Sequence, residues 1–171
     1  MNEIQTYTGK LIDPFNVNPD DIDIKDIAHG LSNICRFTGQ CSPRYSVGEH
    51  SLYVCALLPD EWKFAGLLHD ASEYLLNDLP PQIKDRLPEY KFAEQQLQDK
   101  IYRKFGIHYI DHIKIKEVDE ATLYHESIKL FEHNYGHFDY CKNDLPVKIR
   151  VYSPKVIEYK FLKRFKELYN E

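Results

Sequence analysis

The sequence predicts an all-α fold, a compact helical bundle with a short β-hairpin at its N-terminus. Three observations carry that expectation. Apolar residues recur at helical spacing along most of the chain. Residues suited to starting a helix (Asp, Ser or Pro) stand before several of these stretches. Alternation of period two is confined to the first dozen residues.

Taken in order, Ile4 to Ile12 alternates around a Thr8-Gly9 turn and reads as the hairpin. Asp13-Pro14-Phe15-Asn16-Val17-Asn18-Pro19-Asp20 has turn chemistry and reads as a loop. Ile24, Ile27, Leu31 and Ile34 form one face of a first helix, capped by Asp23. Ser46 and Glu49 make a capping box for a second helix that carries His50, Val54 and Leu57. A third helix is expected from about Glu61 through Phe64, Leu67 and Leu68 to Leu75. Pro80-Pro81 opens a short fourth, since proline is tolerated in a first turn. A fifth runs from Glu89 to Phe105 and stops at Gly106; a sixth runs from about Asp111 to His133. The aromatic stretch Tyr135 to Pro146 reads as irregular. Ser153-Pro154 opens the last helix, with Ile157, Phe161, Phe165 and Leu168 on one face. Lys160, Lys163, Arg164 and Lys166 lie mostly opposite, as a solvated face.

A length of 171 residues with 43% apolar content fits a single domain over 1–171 with one real core. The net charge of −5 argues against a nucleic-acid polymer as partner, because such binders present a basic surface. An anionic small molecule would need a local positive site. The longest apolar runs are too short to span a bilayer, and the N-terminus lacks the basic and apolar blocks of a signal peptide. Cys35, Cys41, Cys55 and Cys141 show no paired spacing and read as reduced thiols, which points to the cytoplasm.

The chemistry is concentrated in Glu61 to Glu73. An apolar helix pressed into the core is followed at once by His69-Asp70 and then by Glu73. Burying a histidine and carboxylates costs free energy unless something satisfies them, and a metal ion would. A His-Asp dipeptide alone proves little. The ordered set is stronger: His50 on the preceding helix, then His69-Asp70, then Asp119 on a later one. Two imidazoles and two carboxylates make a mixed N/O site for a borderline divalent ion, with room left for water and a phosphate oxygen. Glu73, desolvated beside other carboxylates, would have a raised pKa suited to protonating a leaving oxygen.

These residues resemble the H…HD…D motif of the HD-domain metal-dependent phosphohydrolases. The resemblance covers about Ile22 to Lys166 and includes Arg36, Tyr45 to Ser51, Gly66 to Glu73, Asp78-Leu79-Pro80 and Asp119. Within that superfamily the chain is most similar to the small nucleotidases, the DatZ-like phage dATP triphosphohydrolases and the bacterial 5′-deoxynucleotidases. The resemblance implies metal ligation by His50, His69, Asp70 and Asp119. It implies Glu73 as acid/base group, Asp78 as orienter of water or of the leaving sugar oxygen, and Arg36 as a phosphate holder. Phe37 stands where the deoxynucleotidases have a sugar-facing tryptophan. Lys84 and Lys116 fall where the triphosphohydrolase branch places lysines on the polyphosphate. The implied cofactor is a divalent transition metal (Mn, Co, Zn, Fe or Ni), with Mg as companion on the polyphosphate. The implied reaction is hydrolysis of a dNTP, dATP foremost, at the α-phosphate to deoxynucleoside and triphosphate. The alternatives are a 5′-deoxynucleotidase acting on a dNMP and a nucleotide or metal sensor without turnover. The expected partners are a nucleotide substrate and further copies of the chain, in a dimer or larger oligomer, with no membrane; the expected setting is a bacterial or phage-infected cell. Base choice is expected from the Asn16–Ile24 loop and the segment after Asp78. His108 and His112 could serve a second ion but flank a Tyr-Ile-Asp turn, so they read as cap or surface residues. His133 and His137 have a zinc-like gap without an accompanying ligand pair.

Overall fold

A computed structural model describes residues 2–133, Phe138 and 148–169. The expected irregular stretch 135–146, Phe138 apart, and with it His137 and Cys141, lies outside the described residues. The architecture is all-α with one N-terminal hairpin, as the spacing predicts.

Strands β1 (Ile4–Gln5) and β2 (Leu11–Ile12) pair antiparallel, with Ile4 opposite Ile12. The hairpin is clamped to helix α1 (Ile24–Asn33): Thr8 N and Thr8 Oγ1 donate to the Asp26 carboxylate at 2.7 and 2.8 Å. Asp23 caps α1 by accepting from Lys25 N. Helix α2 (Val47–Leu57) opens on the full capping box of Ser46 and Glu49.

The expected third helix is not continuous. It splits into α3 (Asp60–Leu67), a turn over 68–72 and α4 (Glu73–Leu76). The apolar pattern persists through the break because Leu67, Leu68 and Ala71 all stay buried. Side chains take over the backbone partners: Gln98 Nε2 donates to Leu68 O at 2.7 Å, and Ser72 N donates to Gln98 Oε1 at 3.0 Å. Periodicity reads burial, and here burial continues where the helix does not.

Short α5 (Pro81–Lys84) leads to α6 (Pro88–Lys104), which ends before Gly106, whose φ of +77° suits glycine. Helix α7 (His112–Leu130) is capped by Asp111, which accepts from Lys114 N, and stops three residues before His133. Helix α8 (Pro154–Tyr169) closes the described chain.

The main core joins α1, α2, α6 and α8 through Ile27, Leu31, Val47, Leu97, Ile101 and Phe161. Each such side chain removed from water stabilises the fold by about 1.5–3 kcal/mol. A second cluster, Val54, Leu58, Ala65, Ile115 and Val118, packs α7 against α2 and α3. Gly66 permits the close approach of α3 to α2, since a Cβ there would overlap Leu58 Cδ1. This second cluster fixes α7, and so Asp119, relative to His50. Among the described residues, no helix is long and apolar enough to cross a membrane.

Candidate metal centre

Three of the four expected ligands come together. One ligand atom from each of His50, His69 and Asp119 lies within 4.8 Å of the others, a group able to hold a metal ion. His50 comes from α2, His69 from the turn after α3, and Asp119 from α7. His50 Nε2 is 3.0 Å from Asp119 Oδ1. Asp70, the fourth expected ligand, stands at the edge, with Oδ2 3.2 Å from His69 Nε2 and 3.8 Å from His50 Nε2. Short as these separations are, neither His50 Nε2 nor His69 Nε2 has a hydrogen-bond partner, although both atoms are buried.

The other ring nitrogens explain why Nε2 is the free one. His69 Nδ1 lies 2.8 Å from Gly66 O, a pure acceptor, so Nδ1 is a donor and Nε2 is the nitrogen left to offer a lone pair to a metal. His50 Nδ1 lies 2.7 Å from Glu126 Oε1. Glu126 is fully buried, and its carboxyl is held below the usual range: burial opposes ionisation, but Arg36 and His50 outweigh it. An ionised carboxylate accepts, so His50 Nδ1 is the donor there too. Asp119 and Glu126 are seven residues apart on α7, two helical turns, and so share one face. They bracket the same imidazole from its two sides.

The site carries strong fields. Burial and the Arg36 charge disfavour the His50 imidazolium, but the carboxylates of Glu126 and Asp119 push its pKa up to about 9. Asp119 is held well below the usual carboxylate range, its burial outweighed by His50, His69 and Lys116. Asp70 is lowered as well, since His69 and His50 overcome its desolvation.

A cavity of about 350 Å³ opens beside these ligands, and the expected catalytic and substrate-binding residues Arg36, Phe37, Glu73, Asp78, Lys84 and Lys116 all line it. Arg36 is 8% exposed; its Nε donates to Glu126 Oε2 at 3.1 Å, and Nη1 stands 3.8 Å from Asp70 Oδ2. Burial is outweighed by Glu126, Asp78, Asp70 and Asp119, which keep the guanidinium charged. Phe37 adopts a left-handed φ of 56° and is followed by Thr38 at 52°. Its ring meets Phe131 and Phe138 edge-on at 5.1 and 6.0 Å.

Glu73, at the start of α4, is 4% exposed. Burial, then the nearby Asp70 and Asp78 charges, push its carboxyl well above the usual range against Lys84 and Arg36. One oxygen accepts from Lys84 Nζ at 3.3 Å, and the other is buried without a partner. Asp78 follows Asn77, which has a left-handed φ of 69°, and burial raises its carboxyl too, with Arg36 opposing. Lys84 is shared with Glu94 at 2.5 Å. Lys116 reaches Asp119 Oδ2 at 3.1 Å and Glu120 at 3.6 Å.

Two participants are invisible to motif reading. Glu126 has no motif around it, but its two-turn spacing from Asp119 is a signal in the sequence. Gln98 pins both ends of the turn that presents His69 and Asp70, and nothing local marks it. One expectation is corrected: the Asn16–Ile24 loop does not line this cavity, whereas Leu79, Pro80, Pro81 and Gln82 do. Asn16, Asn18 and Asp21 border a separate hollow beside the hairpin. His108 and His112 line another cavity with Asp99 and Tyr102 and are not part of the ligand group.

These features define a helical protein with a His/Asp centre beside a charged cavity. Over 123 residues the chain is 40% identical to the uncharacterized protein YfdR of Escherichia coli (strain K12), covering 72% of this chain and 69% of that protein. Over 125 residues it is 35% identical to the uncharacterized protein RCAP_rcc00048 of Rhodobacter capsulatus, covering 67% of this chain and 64% of that protein. The chain belongs to the family of YfdR. No family model matches it.

Proposed function

We propose that the chain is a metal-dependent phosphohydrolase of the HD-domain type acting on a deoxynucleotide. The observation that carries this reading is the convergence of the buried Nε2 atoms of His50 and His69 with the Asp119 carboxylate, next to a cavity lined by Glu73, whose carboxyl burial raises well above the usual range.

The donor set fits a borderline divalent ion such as Mn, Fe, Co, Ni or Zn, with Asp70 near enough to join. When bound, that ion supplies Lewis acidity to a phosphoryl oxygen and to water. The chain's own residues do the rest. Arg36 and Lys84 present positive charge to the phosphate, and Glu126 keeps the guanidinium oriented. Glu73, whose carboxyl burial raises, is the group placed to protonate the departing 5′-oxygen of the nucleoside. Asp78, on the same wall, orients the attacking water.

A triphosphate is favoured over a monophosphate because Lys84 and Lys116 add two cations to that of Arg36 along one cavity. Each lysine is held by carboxylates and would exchange them for phosphate oxygens. Free thiols at Cys35, Cys41 and Cys55 suit a reducing cytoplasm.

The test is a chromatographic product assay with each dNTP and dNMP in the presence of Mn, Co or Mg. Deoxynucleoside with intact triphosphate from one dNTP is the expected result. Phosphate released only from monophosphates would transfer the chain to the 5′-nucleotidase reading, and no turnover of any nucleotide with any metal would leave the sensor reading.

A further inference from the structure

Around α2 from His50 lies a second cavity, of about 390 Å³. Its apolar wall is Leu52, Ala56 and Ile157, with the Tyr53 ring beside them. Three cations stand around it: Lys148 and Arg150, both exposed, and the partly buried Lys160. None of the three forms an ion pair with a carboxylate among the described residues, in a chain whose net charge is −5.

Their positions are fixed by the main chain. Arg150 N donates to Tyr53 Oη at 2.6 Å, and Tyr53 Oη donates to Lys148 O at 3.1 Å. Tyr152 N donates to Glu49 Oε1 at 2.7 Å. Segment 148–152 is thereby stitched along α2, with the Lys160 ammonium 3.4 Å from the centre of the Tyr152 ring. Among the described residues, Glu49 is the one acid on the wall. It is 1% exposed, and its other oxygen accepts from Ser46 N and Ser46 Oγ, so both oxygens are taken up by local donors.

We propose that this cavity is a second binding site, for a small organic anion that carries an apolar ring. The three cations, of which Lys160 and Arg150 also reach the Tyr152 phenol, supply the site for a phosphonate, phosphate or carboxylate head. The aliphatic and tyrosyl wall accepts the ring. Glu49 and His50 are consecutive residues of α2, so occupancy here bears on the helix that presents a ligand of the metal centre.

The test uses phenylphosphonate, with methylphosphonate as the anion without a ring, followed by amide chemical shifts of the full chain. Phenylphosphonate should shift Leu52, Tyr53, Ala56 and Lys160, and methylphosphonate should bind at least about tenfold more weakly. In the Arg150→Ala, Lys160→Ala double variant those shifts should be lost while the spectrum stays folded. Shifts at Phe37 and Asp70 report the metal-side cavity separately, so failure of one site is distinguishable from failure of the other. Absence of shifts at Tyr53 and Lys160 up to millimolar phenylphosphonate would overturn the proposal. So would equal binding of the two probes, or retention of the shifts in the double variant.

Discussion

His50 Nδ1 and Glu126 Oε1 meet at 2.7 Å in a fully buried contact, and Glu126 Oε2 accepts from Arg36. One carboxylate thus orients a metal-ligand imidazole and neutralises a cavity guanidinium. Replacing Glu126 with Gln keeps the volume but removes the charge. Loss of one partner from a buried ionic set costs about 3–5 kcal/mol, and loss of a histidine orienter weakens metal binding by about 10–100-fold. Urea denaturation and a metal titration of Glu126→Gln should show both effects.

Asp119→Ala removes a ligand from the exposed end of the group while leaving the Glu126–His50 contact. The wild-type protein should gain about 2.7 kcal/mol of stability at a metal concentration a hundred times the Kd. Melting curves with and without Mn should separate for the wild type and coincide for the variant. An undiminished metal content in Asp119→Ala would contradict the ligand assignment.

Glu73→Gln should retain metal but lose turnover by about 10²-fold or more, the usual worth of a positioned proton donor. Metal content by mass spectrometry, set beside the nucleotide product assay, separates the two effects. Near wild-type turnover would remove Glu73 from the chemistry.

Tyr74 and Tyr102 give a pH dependence in the alkaline range. Burial, then nearby acids (Asp26 for Tyr74, Asp70 for Tyr102), pushes both phenols well above the ordinary value of 10. A raised acid keeps its proton in the folded state, while the unfolded chain ionises from about pH 10. Stability should therefore be intact below that pH and fall as pH rises above it. Tyrosinate absorbance should show these two phenols titrating only as the protein unfolds, and a Tyr74→Phe, Tyr102→Phe variant should have a shallower alkaline loss.

Thr38 holds a φ of 52° directly after Phe37 at 56°. A β-branched residue is strained there, and the strain is of order 1–3 kcal/mol. Thr38→Gly relieves it but gives up the Thr38 Oγ1 bond to Phe37 O and adds chain entropy to the unfolded state. The net gain should be about 1 kcal/mol in urea denaturation.

Much of the fold was legible because its helices announce their own starts. Asp23, Ser46, Asp111 and Pro154 stand where the sequence places them, and the hairpin turns at Gly9. The break at Leu68 was not legible, because Gln98, far along the chain, replaces the helical partners without altering the apolar pattern. At the site, His50, His69 and Asp119 could be read from order and residue type alone. Glu126 shows there only as a two-turn spacing from Asp119, since its role depends on α7 lying against α2, a matter of packing among Val54, Leu58, Ile115 and Val118.

The two imidazoles differ in how their tautomers are held. His50 answers to a side chain, so a substitution at Glu126 can reset which nitrogen it offers. His69 answers to the carbonyl of Gly66, which no side-chain replacement removes. Heritable variation can therefore tune the chemistry of one half of this centre freely, while the other half is written into the path of the main chain and changes only with the fold.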